Sequence, residues 1–184
     1  MISQGTALPS DFDADYIIAG IREQCEDRDV AAIDFLLSGY VSDNLDNAFY
    51  RKALSHRNSF IRSFFSFDLD MRNAKVAYLN KALGREPGTD VMILDGRKKA
   101  EFFERDEADA VLESGDILER ERGLDNMMWK KVDEITAFDI FNINIILAFI
   151  AKLKIIDRWN KLDPETGKAM FRKLVEEIRN NRDQ

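Results

Sequence analysis

The stretch that decides the fold is residues 58–84, which read NSFIRSFFSFDLDMRNAKVAYLNKALG. Its apolar side chains recur at steps of three or four, the period that places them on one face of a helix. These residues are Phe60, Phe64, Phe67, Met71, Ala74 and Tyr78. Similar spacing fills much of the chain, and alternating strand patterns are nearly absent. The sequence therefore predicts an all-α protein, with residues 91–94 as the one candidate for a short strand.

Capping residues predict where several of the other helices begin. Ser10 with Asp11 precedes a first apolar helical pattern, and Asp27 or Asp29 precedes a second. Short polar side chains at such positions accept hydrogen bonds from the free amides of the first helical turn. Near the other end, Asp163-Pro164 is typical of a helix start, because proline is favoured at the first helical position.

An internal repeat is visible when the sequence is offset by 71 residues. Phe67-Asp68-Leu69 then aligns with Phe138-Asp139-Ile140, and Asn73 aligns with Asn144. We interpret the aspartate of each tripeptide as the N-cap of a helix, with its phenylalanine packing just outside. We expect the two asparagines to be buried inside these helices and to bond across to a neighbouring helix.

The predicted organisation follows from this repeat. Residues 1–9 are expected to be an irregular N-terminal segment, and residues 10–184 a single all-α domain. That domain is predicted to be a multi-helix bundle of two similar helical units, approximately 43–113 and 114–184, preceded by N-terminal helices.

Composition excludes several classes of function. The net charge of −7 leaves no surplus of lysine and arginine to displace phosphate counterions, so nucleic acid is not an expected partner. Cys25 is the only cysteine and cannot form an internal disulfide, which favours a reducing, cytoplasmic location. The most apolar run, residues 140–151, has 12 residues, whereas a membrane-spanning helix needs about 20. We therefore expect no direct membrane insertion.

No pattern of catalytic or cofactor-binding residues is present. His56 has no second histidine or cysteine at a metal-ligand spacing, and residues 84–88 lack the glycine spacing of a phosphate loop. The acidic groups at 11–15 and 68–70 lack the spacing of a calcium loop. We predict no catalytic residue, cofactor, metal or small-molecule substrate. The 13 phenylalanines leave two interpretations, a packed core or an apolar ligand pocket.

Several segments resemble the C subunit of V-type and archaeal-type ATPases or ATP synthases, which is the d subunit of the eukaryotic enzymes. Glu121-Arg-Gly-Leu124-Asp125 is similar to the family's Glu-x-x-Leu-Asp at the head of a helix. Residues 142–154, NINIILAFIAKLK, look like its long helix, and residues 67–81 look like the matching helix of an earlier repeat. Residues 157–171 resemble a shorter bacterial relative in particular.

The resemblance implies a non-enzymatic function. Proteins of this family are all-α funnels of three similar helical units, seated on the membrane rotor ring and receiving the foot of the central shaft. This chain departs from that pattern, since it shows two units after its N-terminal helices. The implied function is that of a structural central-stalk subunit, cytoplasmic and peripheral on the membrane complex, with the central shaft and the rotor ring as partners.

The charged helix start at residues 119–125 is the candidate docking surface. We expect Glu119, Glu121 and Asp125 to lie on an exposed, partner-facing rim. The alternative function is a helical protein–protein interaction adaptor unrelated to ATPases. A small-molecule-binding or enzymatic helical protein is the third class, and it would need a pocket lined by the phenylalanines.

Overall fold

The computed structural model describes residues 12–94, 102–140 and 142–180, and every regular element within these ranges is helical. The α-helices are α1 (Ala14–Arg22), α2 (Asp27–Ser38), α3 (Asn47–Leu54), α4 (Ser59–Ala82), α5 (Arg105–Leu112), α6 (Ile117–Thr136), α7 (Ile143–Leu162) and α8 (Pro164–Asn180), with a 3₁₀ turn at Ser42–Asn44. The all-α prediction is confirmed. Residues 91–94 form no strand, so that prediction is wrong.

Several helix starts follow the local capping chemistry, but α2 begins at Asp27 after the N-cap Glu26 and has no side-chain cap hydrogen bond, so the expectation that Asp27 or Asp29 caps it is wrong. The side chain of Asn58 accepts a hydrogen bond from the Ile61 amide and opens α4, and Pro164 is the first residue of α8. The cap of α1 is Asp13, whose carboxylate accepts from the amides of Asp15 and Tyr16. The expected N-terminal cap at residues 10 and 11, like the irregular segment 1–9, lies outside the described residues.

The three longest helices alternate in direction. Lys75 of α4 contacts Glu121 of α6, whereas the earlier residue Phe67 contacts the later residue Lys131, so α4 and α6 are antiparallel. Helix α6 is antiparallel to α7 in the same way, because Asp125 near the start of α6 pairs with Arg158 near the end of α7. Helices α4 and α7 consequently run parallel and begin at the same end of the bundle.

Three groups of buried side chains fill the bundle. The largest joins α1, α2 and α3 to the first half of α4 and to α7. The second lies between the later part of α4 and helices α5 and α6, and the third joins α6, α7 and α8. Five of the phenylalanines are buried in these groups, which supports the packed-core interpretation for them: Phe49, Phe60, Phe64, Phe65 and Phe67.

The helices do not follow the 71-residue repeat. Asp68 lies inside α4, and α7 is capped by Asn142, so the predicted N-caps Asp68 and Asp139 are wrong. Phe67 is buried, whereas Phe138 lies in the turn before α7 with 97% of its surface exposed. A 71-residue shift maps the uninterrupted helix α4 onto the junction of α6 and α7. The two predicted units therefore do not consist of equivalent helices.

The two aligned asparagines are nevertheless both used as polar cross-links. The Asn73 side-chain amide donates to the Met92 carbonyl at 3.0 Å and accepts from the Met92 amide at 2.9 Å. The Asn144 side chain accepts from Asn58 Nδ2 at 2.8 Å, across to the cap of α4. Asn73 thus binds an irregular segment rather than a helix, and Asn144 lies in the first turn of α7 rather than in the middle of that helix.

Helices α7 and α8 form a close antiparallel hairpin around Gly167. A Cβ atom at Gly167 would lie 2.6 Å from the Asn160 amide nitrogen and 2.7 Å from its Cα. Further along the hairpin, the buried Lys152 ammonium donates to Glu177 at 2.6 Å and to Asp133 of α6. The same ammonium lies 4.8 Å from the centre of the Trp129 ring. Lys152 therefore ties α6, α7 and α8 together.

No helix in the described part of the chain is long and apolar enough to cross a membrane.

We predict that Gly167→Ala destabilises the protein by about 1–2 kcal/mol. The added methyl group must push α8 away from the Asn160 backbone, at a cost that exceeds the gain in helix propensity. Urea unfolding followed by circular dichroism measures the change. Gly20→Ala is the matched control, because its Cβ meets nothing within 4 Å in α1. That variant should be stabilised by about 0.5 kcal/mol. Equal effects of the two substitutions would contradict close packing at Gly167.

Candidate functional site: a charged groove between α4, α6 and α7

A groove of about 600 Å³ lies where α4, α6 and α7 meet the turn that follows α2. Apolar side chains and charged side chains both line it. The charged ones are Asp68, Arg72 and Lys75 of α4, Glu121 and Asp125 of α6, and Lys154, Asp157, Arg158 and Lys161 of α7. The groove is the place where the structure brings residues from distant parts of the sequence together.

Arg158 is the centre of a network of ion pairs and hydrogen bonds in this groove. Its guanidinium donates to both carboxylate oxygens of Asp125, at 3.1 and 3.0 Å, and to Glu121. Glu121 also accepts from Lys75 at 2.5 Å, and Asp125 accepts from the indole nitrogen of Trp159 at 2.7 Å. We call these five residues the Arg158 network. It connects α4, α6 and α7.

The two acidic members of the network differ in their electrostatics. Burial would raise the pKa of Glu121, but hydrogen bonds and charges from Lys75 and Arg158 outweigh it and lower that pKa. Asp125 is more deeply buried, and desolvation raises its pKa despite Arg158 and the Trp159 hydrogen bond. The environment therefore favours the charge on Glu121 and opposes the charge on Asp125.

A second polar cluster lies around Asp68. Its carboxylate accepts from the Tyr50 hydroxyl at 2.5 Å and from Arg72 Nε at 3.0 Å. Burial, followed by the nearby Asp68 charge, raises the pKa of Tyr50. Tyr40 is 38% exposed, but its hydroxyl lies 3.5 Å from the Ala151 carbonyl, and local burial of that hydroxyl, followed by the charges of Asp68 and Asp125, raises its pKa. Both phenols consequently remain protonated near neutral pH and act as hydrogen-bond donors.

The basic residues of the groove are neutralised within the protein. Lys154 lies 3.2 Å from Asp15, and Lys161 lies 2.8 Å from Asp157. The other three cations, those of α4 and Arg158, pair with carboxylates as described. An anionic small molecule would therefore have to displace an internal carboxylate from its partner, which makes the groove a poor site for recognising such a ligand.

The structure separates the three predicted rim residues. Glu119 is exposed in the first turn of α6 and accepts from Ser114 Oγ at 3.0 Å. The side chains of Glu121 and Asp125 are only 23% and 14% exposed and are held by internal partners. The expectation of an exposed rim is therefore wrong for these two residues, because cations from α4 and α7 cover them. A partner-facing position for Glu119 stays a prediction.

The cationic partners of Glu121 have no local signal in the sequence. Lys75 and Arg158 were not recognised as partners of Glu121, since they lie 46 and 37 positions away. The spacing of Asp68 and Arg72 at i and i+4 was a local signal for their ion pair. No comparable local signal marks Lys75 or the two tyrosines.

His56 and Cys25 do not line the groove. His56 lies in the turn between α3 and α4, where its ring centre is 4.9 Å from that of Phe35. Cys25 is a partly buried free thiol between α1 and α2. Within the described ranges, no group of three or more histidine, cysteine or acidic residues is placed to hold a metal ion.

Comparison with known proteins finds that part of the chain is similar to a family described as having no known function. A family model described as "Protein of unknown function (DUF2764)" matches residues 98–182, slightly under half of the chain. The matched region contains α5 to α8 and therefore the α6 and α7 walls of the groove, but not α4. Neither the curated proteins nor the solved structures contain a significant match to the chain.

We predict that Asp125→Ala destabilises the fold by about 2–3 kcal/mol, because Arg158 and the Trp159 indole each lose a buried partner. Asp125→Asn, which retains an acceptor for the indole, should cost less. Urea unfolding measures both. Asp109→Ala is the control, since Asp109 accepts twice from Arg105 in an exposed pair. It should change stability by about 0.5 kcal/mol or less. A cost for Asp125→Ala no larger than this would contradict the network.

Stability should depend on pH in opposite ways at the two network carboxylates. The lowered pKa of Glu121 gives stability that is present above its ordinary value of 4.5 and is lost as the pH falls through the folded value. The raised pKa of Asp125 opposes folding as the pH rises through the acidic range. The destabilisation caused by Glu121→Gln should therefore shrink from pH 7 to pH 3, and that caused by Asp125→Asn should grow. Thermal unfolding across this range tests the signs, and parallel trends would contradict them.

Proposed function

We propose that this chain is a non-catalytic structural subunit of a V-type rotary ATPase or ATP synthase, which couples the membrane rotor ring to the central shaft. One observation carries the proposal. Two segments that resemble this central-stalk family, residues 121–125 and 157–171, contribute Glu121, Asp125, Arg158 and Trp159 to a single network. The two segments lie far apart in the sequence, both resemble the central-stalk family, and their residues contact each other between α6 and α7.

The mechanical properties of the bundle suit this role. A protein that transmits torque must resist sliding and twisting of its helices. The Arg158 network links α4, α6 and α7, and the contacts of Lys152 link α6, α7 and α8. Breaking either set leaves charges without partners in a partly buried site, which opposes relative movement of the helices.

The charged groove also fits a structural role better than an enzymatic one. Its cations are matched by carboxylates of the same chain, and the pKa values of Tyr40 in its lining and of Tyr50 beside Asp68 are raised, so both phenols are donors. A catalytic site needs a group free to react with or bind the substrate. The proposal places the protein in the cytoplasm, peripheral on the membrane complex, with no nucleic acid or small-molecule substrate.

The runner-up is a helical adaptor unrelated to ATPases, and one observation favours it. Phe138 and Ile140 stand exposed in the turn between α6 and α7, as anchors for a partner of any kind would. Helix α4 has no equivalent helix 71 residues later. The chain therefore lacks, at this offset, the repeated helical units that the central-stalk family would lead us to expect.

The two functions are separated by purification from the source cell. We expect an affinity-tagged chain, recovered from detergent-solubilised membranes, to carry the ATPase head, shaft and rotor-ring proteins in constant proportions by quantitative mass spectrometry. An untagged strain is the background control. Recovery of other proteins without any of these ATPase components would refute the rotary-ATPase proposal and leave the adaptor.

A charge reversal at Glu119 tests the remaining rim prediction. Glu119→Lys should weaken binding to the purified shaft protein about threefold to tenfold, because an exposed charge at an interface rim steers association. Glu176→Lys, the same change on the exposed face of α8, is the control. Surface plasmon resonance measures both. Unchanged binding of Glu119→Lys would remove Glu119 from the interface without affecting the proposed function.

A further inference from the structure

A second cleft, of about 690 Å³, lies where α2, α4 and α7 begin and α3 ends. Its cationic side chains are Arg28, Lys52 and Arg57, and its apolar lining consists of Ala31, Ala32 and Ile143. We call it the basic cleft. Among the described residues, Asp29 is its one acidic lining residue.

The cations of the basic cleft have few carboxylate partners, unlike those of the groove. No carboxylate among the described residues lies within 4 Å of Lys52 or Arg57. Arg28 is 86% exposed and approaches only its neighbour Asp29, at 3.5 Å, within the described part of the chain. In a chain with a net charge of −7, this is a local excess of positive charge.

The backbone adds to this positive potential. Helices α4 and α7 run parallel and start beside each other, with Asn58 donating from its side chain to Asn144 at 2.8 Å. The first turn of α2 forms another wall through Arg28 and Asp29. The starts of α4 and α7 each carry a partial positive charge and contribute the same sign of field to the cleft, whereas Asp27 and Asp29 in the first turn of α2 offset the positive charge of that helix start.

The turn that carries Arg57 is held in place. Arg62 Nη1 donates to the carbonyls of His56 and Arg57, at 2.5 and 2.8 Å. His56 Nδ1 accepts from the Asn58 amide at 3.1 Å, which leaves the proton of the neutral ring on Nε2 as a donor. Burial and the charge of Arg62 lower the pKa of His56, so the neutral form is favoured. The cleft thus combines cations with a fixed neutral donor.

We propose that the basic cleft docks an acidic segment of a partner protein. Lysine and arginine side chains without internal partners suit carboxylates that arrive in an extended chain, and the small alanines of the lining let a main chain approach closely. Charge complementarity identifies the occupant: three cations and the starts of α4 and α7 border the cleft, and they face only the carboxylates of Asp29 and the neighbouring Asp27 among the described residues. So few cations are too weak a set to bind nucleic acid by counterion release. The assignment does not depend on the partner being part of an ATPase.

A binding assay with a fluorescein-labelled peptide of alternating glutamate and alanine tests this assignment. Fluorescence anisotropy at low ionic strength should detect binding to the full chain. Lys52→Glu/Arg57→Glu should reduce the affinity at least about tenfold, because two attractive charges become repulsive. Circular dichroism verifies that the variant is folded, and Lys52→Gln/Arg57→Gln replaces it if it is not.

The matched control reverses the same two residue types at the other end of α4. Lys81→Glu/Arg85→Glu changes the net charge equally, and both residues are exposed about 36 Å from the cleft. It should leave the affinity within about twofold, since exposed charges beyond a Debye length are screened. Equal losses in the two variants, an unchanged affinity in the cleft variant, or no binding by the wild type would each overturn the proposal.

Competition experiments distinguish an acidic peptide from other anionic ligands of the basic cleft. A single-stranded oligonucleotide that binds more tightly than the peptide, and is lost in the cleft variant alone, would assign the cleft to nucleic acid and overturn the peptide assignment. Inorganic phosphate that displaces the peptide at concentrations where sulfate does not would overturn it in favour of a phosphate ligand. Displacement by both salts equally is expected for a docked acidic segment.

Discussion

The arrangement of the long helices depends on the pairing of Arg158 with carboxylates of α6. Arg158 emerges from α7 and binds Glu121 and Asp125, one helical turn apart on α6. Glu121 in turn holds Lys75 of α4. Removing any member leaves another charge or donor without a partner in a partly buried place, so the three helices are fixed relative to one another. Apolar burial drives their association, and this network sets their register.

Lys152 performs a related function about one and a half turns earlier on α7. Its ammonium is buried beside the Trp129 ring and between Asp133 and Glu177. Removing either carboxylate would leave the buried ammonium with fewer partners and would oppose folding. Arg158 and Lys152 both bind carboxylates of α6, Arg158 reaches α4 only through the shared partner Glu121, and Lys152 also binds Glu177 of α8. Helix α7 is consequently the element that joins the two sides of the bundle.

The charge distribution distinguishes two surfaces of this protein. In the groove, carboxylates of the same chain pair with the cations. The charges of the groove therefore stabilise the fold rather than bind a ligand. In the basic cleft Lys52 and Arg57 have no such partners among the described residues. This difference was invisible in composition, because the net charge of −7 says nothing about where the cations lie. The net charge describes the surface as a whole, and a local patch can still carry the opposite charge.

The sequence by itself determined the helices, because their causes are local. The three-to-four spacing of apolar side chains predicted α4, and Asn58 and Pro164 stand at helix starts because of side-chain and ring geometry within one turn. The repeat interpretation failed because a similar pattern of residues serves a continuous helix in α4 and a turn before α7. Only the tertiary structure decided that Glu121 and Asp125 are covered rather than exposed. Their partners lie 33 to 46 residues away, and which charges meet at that distance depends on how whole helices pack.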